Sequence, residues 1–117
     1  MQSPVPDYTC RSFAFACDIV RLYRAIERHV PSSIARQVLK SGTSIGANLE
    51  EAKAAHGRKD LTAKFVIALR EARETSYWLR LIVATDLAPK SQLVGPLSEA
   101  NEFVAILTTS VRRLRGQ

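Results

Sequence analysis

Two histidines and two cysteines are all that this chain of 117 residues carries of the side chains most used to hold zinc. Neither a CxxC nor an HxxxH spacing links them, so no metal site is expected. Cys10 and Cys17 stand seven apart on one side of a helical segment, too far along it for disulfide geometry, and read as apolar packing residues. Five glycines and five prolines are too few for an all-β chain full of tight turns. No apolar run reaches the roughly 18 residues that cross a bilayer, so no membrane association is expected. Met1 to Cys10 lacks the charged start and apolar middle of a secretory signal, which makes the cytoplasm the expected location. Catalytic groupings are equally scarce. Glu50, Glu51, Glu71 and Glu74 have no nucleophile, base and orienting partner beside them, and no glycine-rich loop cradles a phosphate. Neither an enzymatic activity nor a cofactor is expected, and there is no internal repeat or low-complexity tract.

What is present suits one soluble helical domain. Hydrophobic residues make up 46% and charged residues 24%, near the globular average. Seventeen Lys and Arg against eleven Asp and Glu give a formal charge of +6, which attracts polyanions as readily as it solvates a surface. Twelve of the seventeen are arginines, whose planar fork suits phosphate better than an ammonium does.

Periodicity divides the chain into a tail and four helices. Residues 1–7, with prolines at 4 and 6, read as a loose extended tail, and residues 8–115 as a single bundle domain. From Tyr8 or Thr9 to His29, the residues Phe13, Ala16, Cys17, Val20, Tyr23 (or Arg24) and Ile26 recur three and four apart as the apolar stripe of an amphipathic helix. Arg21, Arg24 and Arg28 share a strip on its other side. Val30 and Pro31 stop it. A second helix, capped by Ser32 or Ser33, runs through Ile34, Val38, Ile45, Leu49 and Ala52 to about His56, and Gly57 closes it. A third starts with Asp60 as a capping acceptor and runs to about Leu87 before Ala88 and Pro89. Its apolar runs, 65–69 and 79–84, are wider than one core-facing stripe and imply a second buried side, expected to be self-association. After a turn at Lys90 and Ser91, Gly95 and Pro96 mark either a kink or the true start of a fourth helix with the stripe Leu97, Ala100, Phe103 (or Val104), Leu107, Val111 and Leu114. Similar lengths and short connections predict an all-α, antiparallel, up-down-up-down four-helix bundle.

The segment Arg36–Ala55 organises the rest. Gly42 and Gly46 each cost roughly 1 kcal/mol against Ala inside a helix, so something must pack closely on them. Ser44, Asn48 and Glu51 share one face there and read as a polar seam against the third helix or as a partner site. On the third helix Arg70, Glu71, Arg73 and Glu74 alternate in sign, with Arg70 and Glu74 spaced as an i, i+4 pair, or with Glu71 reaching Lys64 or Arg73 of a neighbour or the second-helix seam as an interface lock, and Trp78 beside Tyr77 reads as a core or interface residue. The connector Gly57 to Asp60 offers Arg58 and Lys59 to a phosphate or simply to water. Arg112, Arg113 and Arg115 crowd the end of the fourth helix, where they also complement its dipole.

The run Ser41-Gly42-Thr43-Ser44-Ile45-Gly46-Ala47-Asn48-Leu49-Glu50-Glu51-Ala52, then Asp60 to Phe65, then Ala68-Leu69-Arg70-Glu71-Ala72-Arg73-Glu74-Thr75 with Tyr77-Trp78-Leu79-Arg80, resembles the 23S rRNA intervening-sequence family. The resemblance covers about Tyr8 to Arg113 and is specific in the second and third helices. It implies an antiparallel four-helix bundle assembled as a ring-shaped homopentamer. It carries over no catalytic residues; Ser44, Asn48, Glu51, Glu71, Arg73 and Glu74 stand at the family's signature polar positions. A related branch, the accessory protein of diversity-generating retroelements, is similar in being a basic pentameric bundle that binds reverse transcriptase and nucleic acid.

Charge and resemblance together lead to the expectation of a homo-oligomer that binds RNA or DNA backbone through Arg21, Arg24, Arg28, Arg58, Lys59, Arg112, Arg113 and Arg115. The alternative is a scaffold for a protein partner, for example a reverse transcriptase, with no direct nucleic-acid role.

Overall fold

Four helices make up nearly all of the computed structural model, which describes residues 3–117: α1 Thr9–Ile26, α2 Ser32–Lys53, α3 Arg58–Ala84 and α4 Lys90–Leu114. No strand occurs among the described residues. Met1 and Gln2, the start of the expected tail, lie outside them. The helices pack side by side, α3 extensively against both α2 and α4, α1 against α2, and α1 more sparsely against α4.

The glycine pair sets the α1–α2 contact. A Cβ on Gly46 would lie 3.1 Å from the backbone oxygen of Ser12, and one on Gly42 would lie 2.7 Å from Ile19 Cγ1. Ile19 is fully buried and β-branched, so it has little freedom to yield. Small residues on α2 therefore seat the Ser12–Ile19 face of α1, and that fixes which side of α1 turns inward: Thr9, Ser12, Phe15, Ile19, Leu22 and Ile26 are buried. The stripe read from the sequence is corrected here. Phe13 is 66% and Val20 42% exposed, and Ala16, Cys17 and Tyr23 are only half-buried. Cys10 is exposed rather than packed.

Buried hydroxyls disguised the true face. Ser12 Oγ donates to the Thr9 carbonyl (3.2 Å) and Ser41 Oγ to that of Gln37 (2.7 Å). Thr75 Oγ1 lies 2.8 Å from the Glu71 carbonyl and 3.0 Å from Ser41 Oγ, linking α3 to α2. A hydroxyl satisfied by its own helix can be buried at little cost, so polar letters occupy core positions.

Part of the width of α3 has an explanation inside the chain. Phe65, Ala68, Leu69, Ala72, Leu79 and Ile82 are buried between two neighbouring helices, while Val66, Ile67, Leu81 and Val83 of the same runs stay half-buried. On its far flank α4 contributes Leu93, Ala100, Phe103 and Leu107, with the Phe103 ring 5.5 Å from that of Phe15.

Helix ends differ from expectation by a few residues. Glu27 caps α1, and Ile26 O accepts from both His29 N and Val30 N. Neither Ser32 nor Ser33 caps α2; the Pro31 carbonyl takes the Ile34 and Ala35 N–H groups instead. Asp60 does not cap α3, which begins two residues earlier, at Arg58, with Gly57 as its cap; Asp60 Oδ2 instead accepts the N–H of His56, before the helix, at 3.1 Å. α3 stops at Ala84: Asp86 takes φ 55, Asp86 N donates to Val83 O and Leu87 N to Ile82 O, a left-handed cap that ends the helix before Leu87. α4 starts at Lys90, not at Gly95 or Pro96, and carries Pro96 inside it. The Gln92 carbonyl thereby loses its helical donor, but Gln92 is exposed and water can replace it.

Residues 3–7 form no helix yet are not loose. Val5 is 5% exposed within the core cluster, Asp7 Oδ1 accepts from Thr9 N (2.9 Å) and Thr9 Oγ1 (2.7 Å), and Lys53 Nζ lies 3.5 Å from Asp7 Oδ2. One apolar anchor offsets part of the entropy of ordering so short a segment.

Candidate functional site

At the turn into α3, Gly57 adopts φ 90, a conformation with no steric cost for glycine, and delivers Arg58 onto the end of α4. Arg58 Nε donates to Leu114 O (3.0 Å) and Nη2 to Arg113 O (3.1 Å), supplying donors that the last turn of a helix lacks. This contact brings Arg58 and Lys59 beside Arg112, Arg113 and Arg115. All five are exposed, and no carboxylate among the described residues forms an ion pair with any of them. Five positive charges thus gather at one end of a body 46 Å long. Part of Arg58 is committed to holding α4; the other four side chains are free to meet an anion.

Arg21, Arg24 and Arg28 do not join them. α1 begins at the same end, where the residues before it meet α2 and α3. Arg21 lies twelve residues further along, about 18 Å away at the helical rise, and Arg28 lies past the end of α1. Arg21 pairs with Asp18 at 3.1 Å with both side chains exposed, which contributes little. The eight cations read as one surface therefore form two groups.

The polar seam is relocated as well. Ser44 Oγ donates to Lys40 O (2.6 Å) and Asn48 Nδ2 to Ser44 O (2.8 Å), so both side chains are satisfied by α2 itself, and Glu51 is exposed. The hydroxyl bonds that reach from α3 to its neighbours are instead Thr75 to Ser41 and Ser76 Oγ to Asn101 Oδ1 (2.7 Å). Arg70, Arg73 and Glu74 are exposed, and Arg70 makes no ion pair with Glu74 among the described residues. Glu71 is half-buried; desolvation first, then the neighbouring Glu74 carboxylate, pushes its pKa up, while Arg70 and Lys40 pull it down less strongly. Trp78 is half-buried, its Nε1 has no acceptor among the described residues, and its ring is edge-on to Tyr77 at 5.0 Å.

Sequence reasoning missed two features. Arg11 clamps Glu99 with Nε and Nη2 at 2.8 and 2.7 Å and lies 5.4 Å from the centre of the Phe103 ring, tying α1 to α4 across 88 residues. No local spacing signals so distant a pair. The other is the outward stripe of α1, visible in the sequence but assigned to the core.

Among the described residues no group of three or more His, Cys, Asp or Glu could hold a metal ion, and no helix is long and apolar enough to cross a membrane. Residues 7–109 match the family model described as 23S rRNA-intervening sequence protein. A crystal structure of a protein of unknown function from the S23 ribosomal protein family of Bacteroides thetaiotaomicron is similar at a TM-score of 0.81 and 37% identity, covering 89% of this chain and 94% of that one. No curated protein matches the chain.

Proposed function

Because the chain belongs to the 23S rRNA-intervening sequence protein family, we propose that it is a non-enzymatic, homo-oligomeric helical bundle that binds nucleic-acid backbone without sequence preference. The observation that carries this reading is the cluster of Arg58, Lys59, Arg112, Arg113 and Arg115 where α3 begins and α4 ends. Exposed arginine forks without carboxylate partners match the phosphate backbone in charge and geometry, and they select no base.

We further propose the antiparallel up-down-up-down order and the homopentamer that the family resemblance implies. Three sets of contacts support the order: Gly42 with Ile19 and Gly46 with Ser12, Lys53 near Asp7, and Arg58 with Leu114 against Ser76 with Asn101. In each pairing the residue numbers rise on one helix as they fall on the next. Copies would join through the outward stripe of α1, because Phe13 and Val20 are large apolar side chains left in water. A ring would repeat the basic end in every copy, and linked weak sites bind a polymer far more tightly than one site does.

The test is fluorescence anisotropy of a labelled RNA titrated with the protein at several salt concentrations. Affinity should fall steeply between about 50 and 200 mM salt, and replacing Arg112, Arg113 and Arg115 with Gln should flatten the slope. No binding to RNA or DNA at about 50 mM salt would remove the reading. The same α1 stripe favours a second one, a scaffold for a protein partner such as a reverse transcriptase, for which the arginine variants would bind the partner as well as the parent does.

A further inference from the structure

Beside the basic end, a cavity of about 460 Å³ opens where residues 3–7 cross from α1 to the junction of α2 and α3. It is within the size range of small-molecule sites. Val5, Leu49, Leu61 and Phe65 supply its apolar lining, and Lys53 and Arg58 supply its positive charge. The one acid lining it, Asp7, is engaged chiefly by Thr9 through Oδ1 and touches Lys53 only through a 3.5 Å contact between side chains that are each 59% exposed. Such a pair is weak and open to competition by a stronger anion. Arg58 is held in place by its Nε and Nη2 bonds to α4, while its Nη1 has no acceptor among the described residues, so one cation is orientated before any ligand arrives.

We propose that this cavity binds a phosphate monoester carrying an apolar ring, of nucleotide size, with the ring against Leu61 and Phe65 and the phosphate between Lys53 and Arg58. This goes beyond backbone binding, which needs exposed charge but no cavity. Phosphate replaces Asp7 at Lys53, and Asp7 keeps its bonds to Thr9. The same chemistry is offered by a free nucleotide and by the phosphorylated 5′ end of a nucleic-acid chain.

The experiment is calorimetric titration of the full chain with adenosine 5′-monophosphate, adenosine and inorganic phosphate in turn. The monophosphate should bind once per chain, about tenfold more tightly than either fragment, as two combined contacts require. Lys53→Gln should weaken the monophosphate by about tenfold and leave adenosine unchanged, the loss of one charge-assisted contact. Asp7→Asn, which retains an acceptor for Thr9, should tighten it. Leu61→Trp, checked for folding by circular dichroism, should abolish binding of monophosphate and adenosine while the salt dependence of RNA binding persists, which separates this site from the arginine cluster. A 5′-phosphorylated trinucleotide that binds like the monophosphate identifies the chain end as a ligand; one that does not restricts the site to free nucleotides. Monophosphate binding no tighter than that of phosphate, or unaffected by Lys53→Gln, would overturn the proposal.

Discussion

A methyl group at Gly46 is tight, because a new Cβ would lie 3.1 Å from the backbone oxygen of Ser12 on a buried helix face, and backbone yields less readily than a side chain. Alanine gains about 1 kcal/mol of helix propensity there, but seating it requires α1 and α2 to separate, and overpacking of this kind costs about 1–3 kcal/mol. Gly46→Ala should therefore lower the denaturation midpoint in a urea titration; a raised midpoint would mean that the helices part easily. At Gly42 the obstacle is the Ile19 side chain, so Gly42→Ala combined with Ile19→Ala should cost less than the two separate losses added together. The need for close packing at these glycines was legible in the sequence. Their partners were not, since Ser12 and Ile19 lie outside the apolar stripe read for α1, and the burial of Ser12 shows only once its hydroxyl is seen bonded to its own helix. Glu71 makes a pH-dependent prediction. Its pKa is raised in the folded state, so the fold binds its proton more tightly than the unfolded chain does, and this contribution to stability is lost as pH rises through the folded pKa. Glu71→Gln should raise the thermal midpoint near neutral pH, and the gain should vanish below the ordinary glutamate pKa of about 4.3. A gain of equal size at both pH values would assign the effect to something other than this carboxylate.

Among the elements, α1 departs most from the role its sequence suggests. α1 holds two interleaved stripes, and the one with Phe13 and Val20 turns outward because Gly42 and Gly46 receive the other, in which Thr9 and Ser12 stand among Phe15, Ile19, Leu22 and Ile26. α3 looks too apolar for one core, and its position between two helices accounts for Phe65, Ala68, Leu69, Ala72, Leu79 and Ile82 but leaves Val66, Ile67, Leu81 and Val83 half-buried. Periodicity alone finds both stripes; the shape of the neighbour decides which is buried. The end of α4 depends on a residue 55 positions earlier in the chain. Arg58→Gln removes the bonds to Arg113 and Leu114, together worth about 1 kcal/mol given their exposure. Amide exchange should quicken in the last turn of α4 and remain unchanged near Phe103. Protection that persists in that last turn would show that the dipole and water suffice. The start of α4 illustrates a different limit: Pro96 reads as a boundary, yet the helix runs through it because the orphaned Gln92 carbonyl faces solvent.

For the molecule as a whole, five cations gather at one end while Arg21, Arg24 and Arg28 stand apart from them, and the large apolar side chains left in water are Phe13 and Val20 on α1, Tyr77 on α3 and Val94 on α4. The bundle was legible from helix periodicity and the glycine segment, whereas the division of charge arises from tertiary contacts such as Arg58 with α4. Joining copies through α1 should make assembly sensitive to Phe13 and insensitive to Arg112, Arg113 and Arg115. Phe13→Glu should thus release monomers without lowering the helix content seen by circular dichroism. Light scattering coupled to gel filtration on the unmodified chain addresses assembly most directly. A particle of several times 13.0 kDa, five times for the ring, is the expected result, and a monomer of 13.0 kDa at every concentration tested would contradict it.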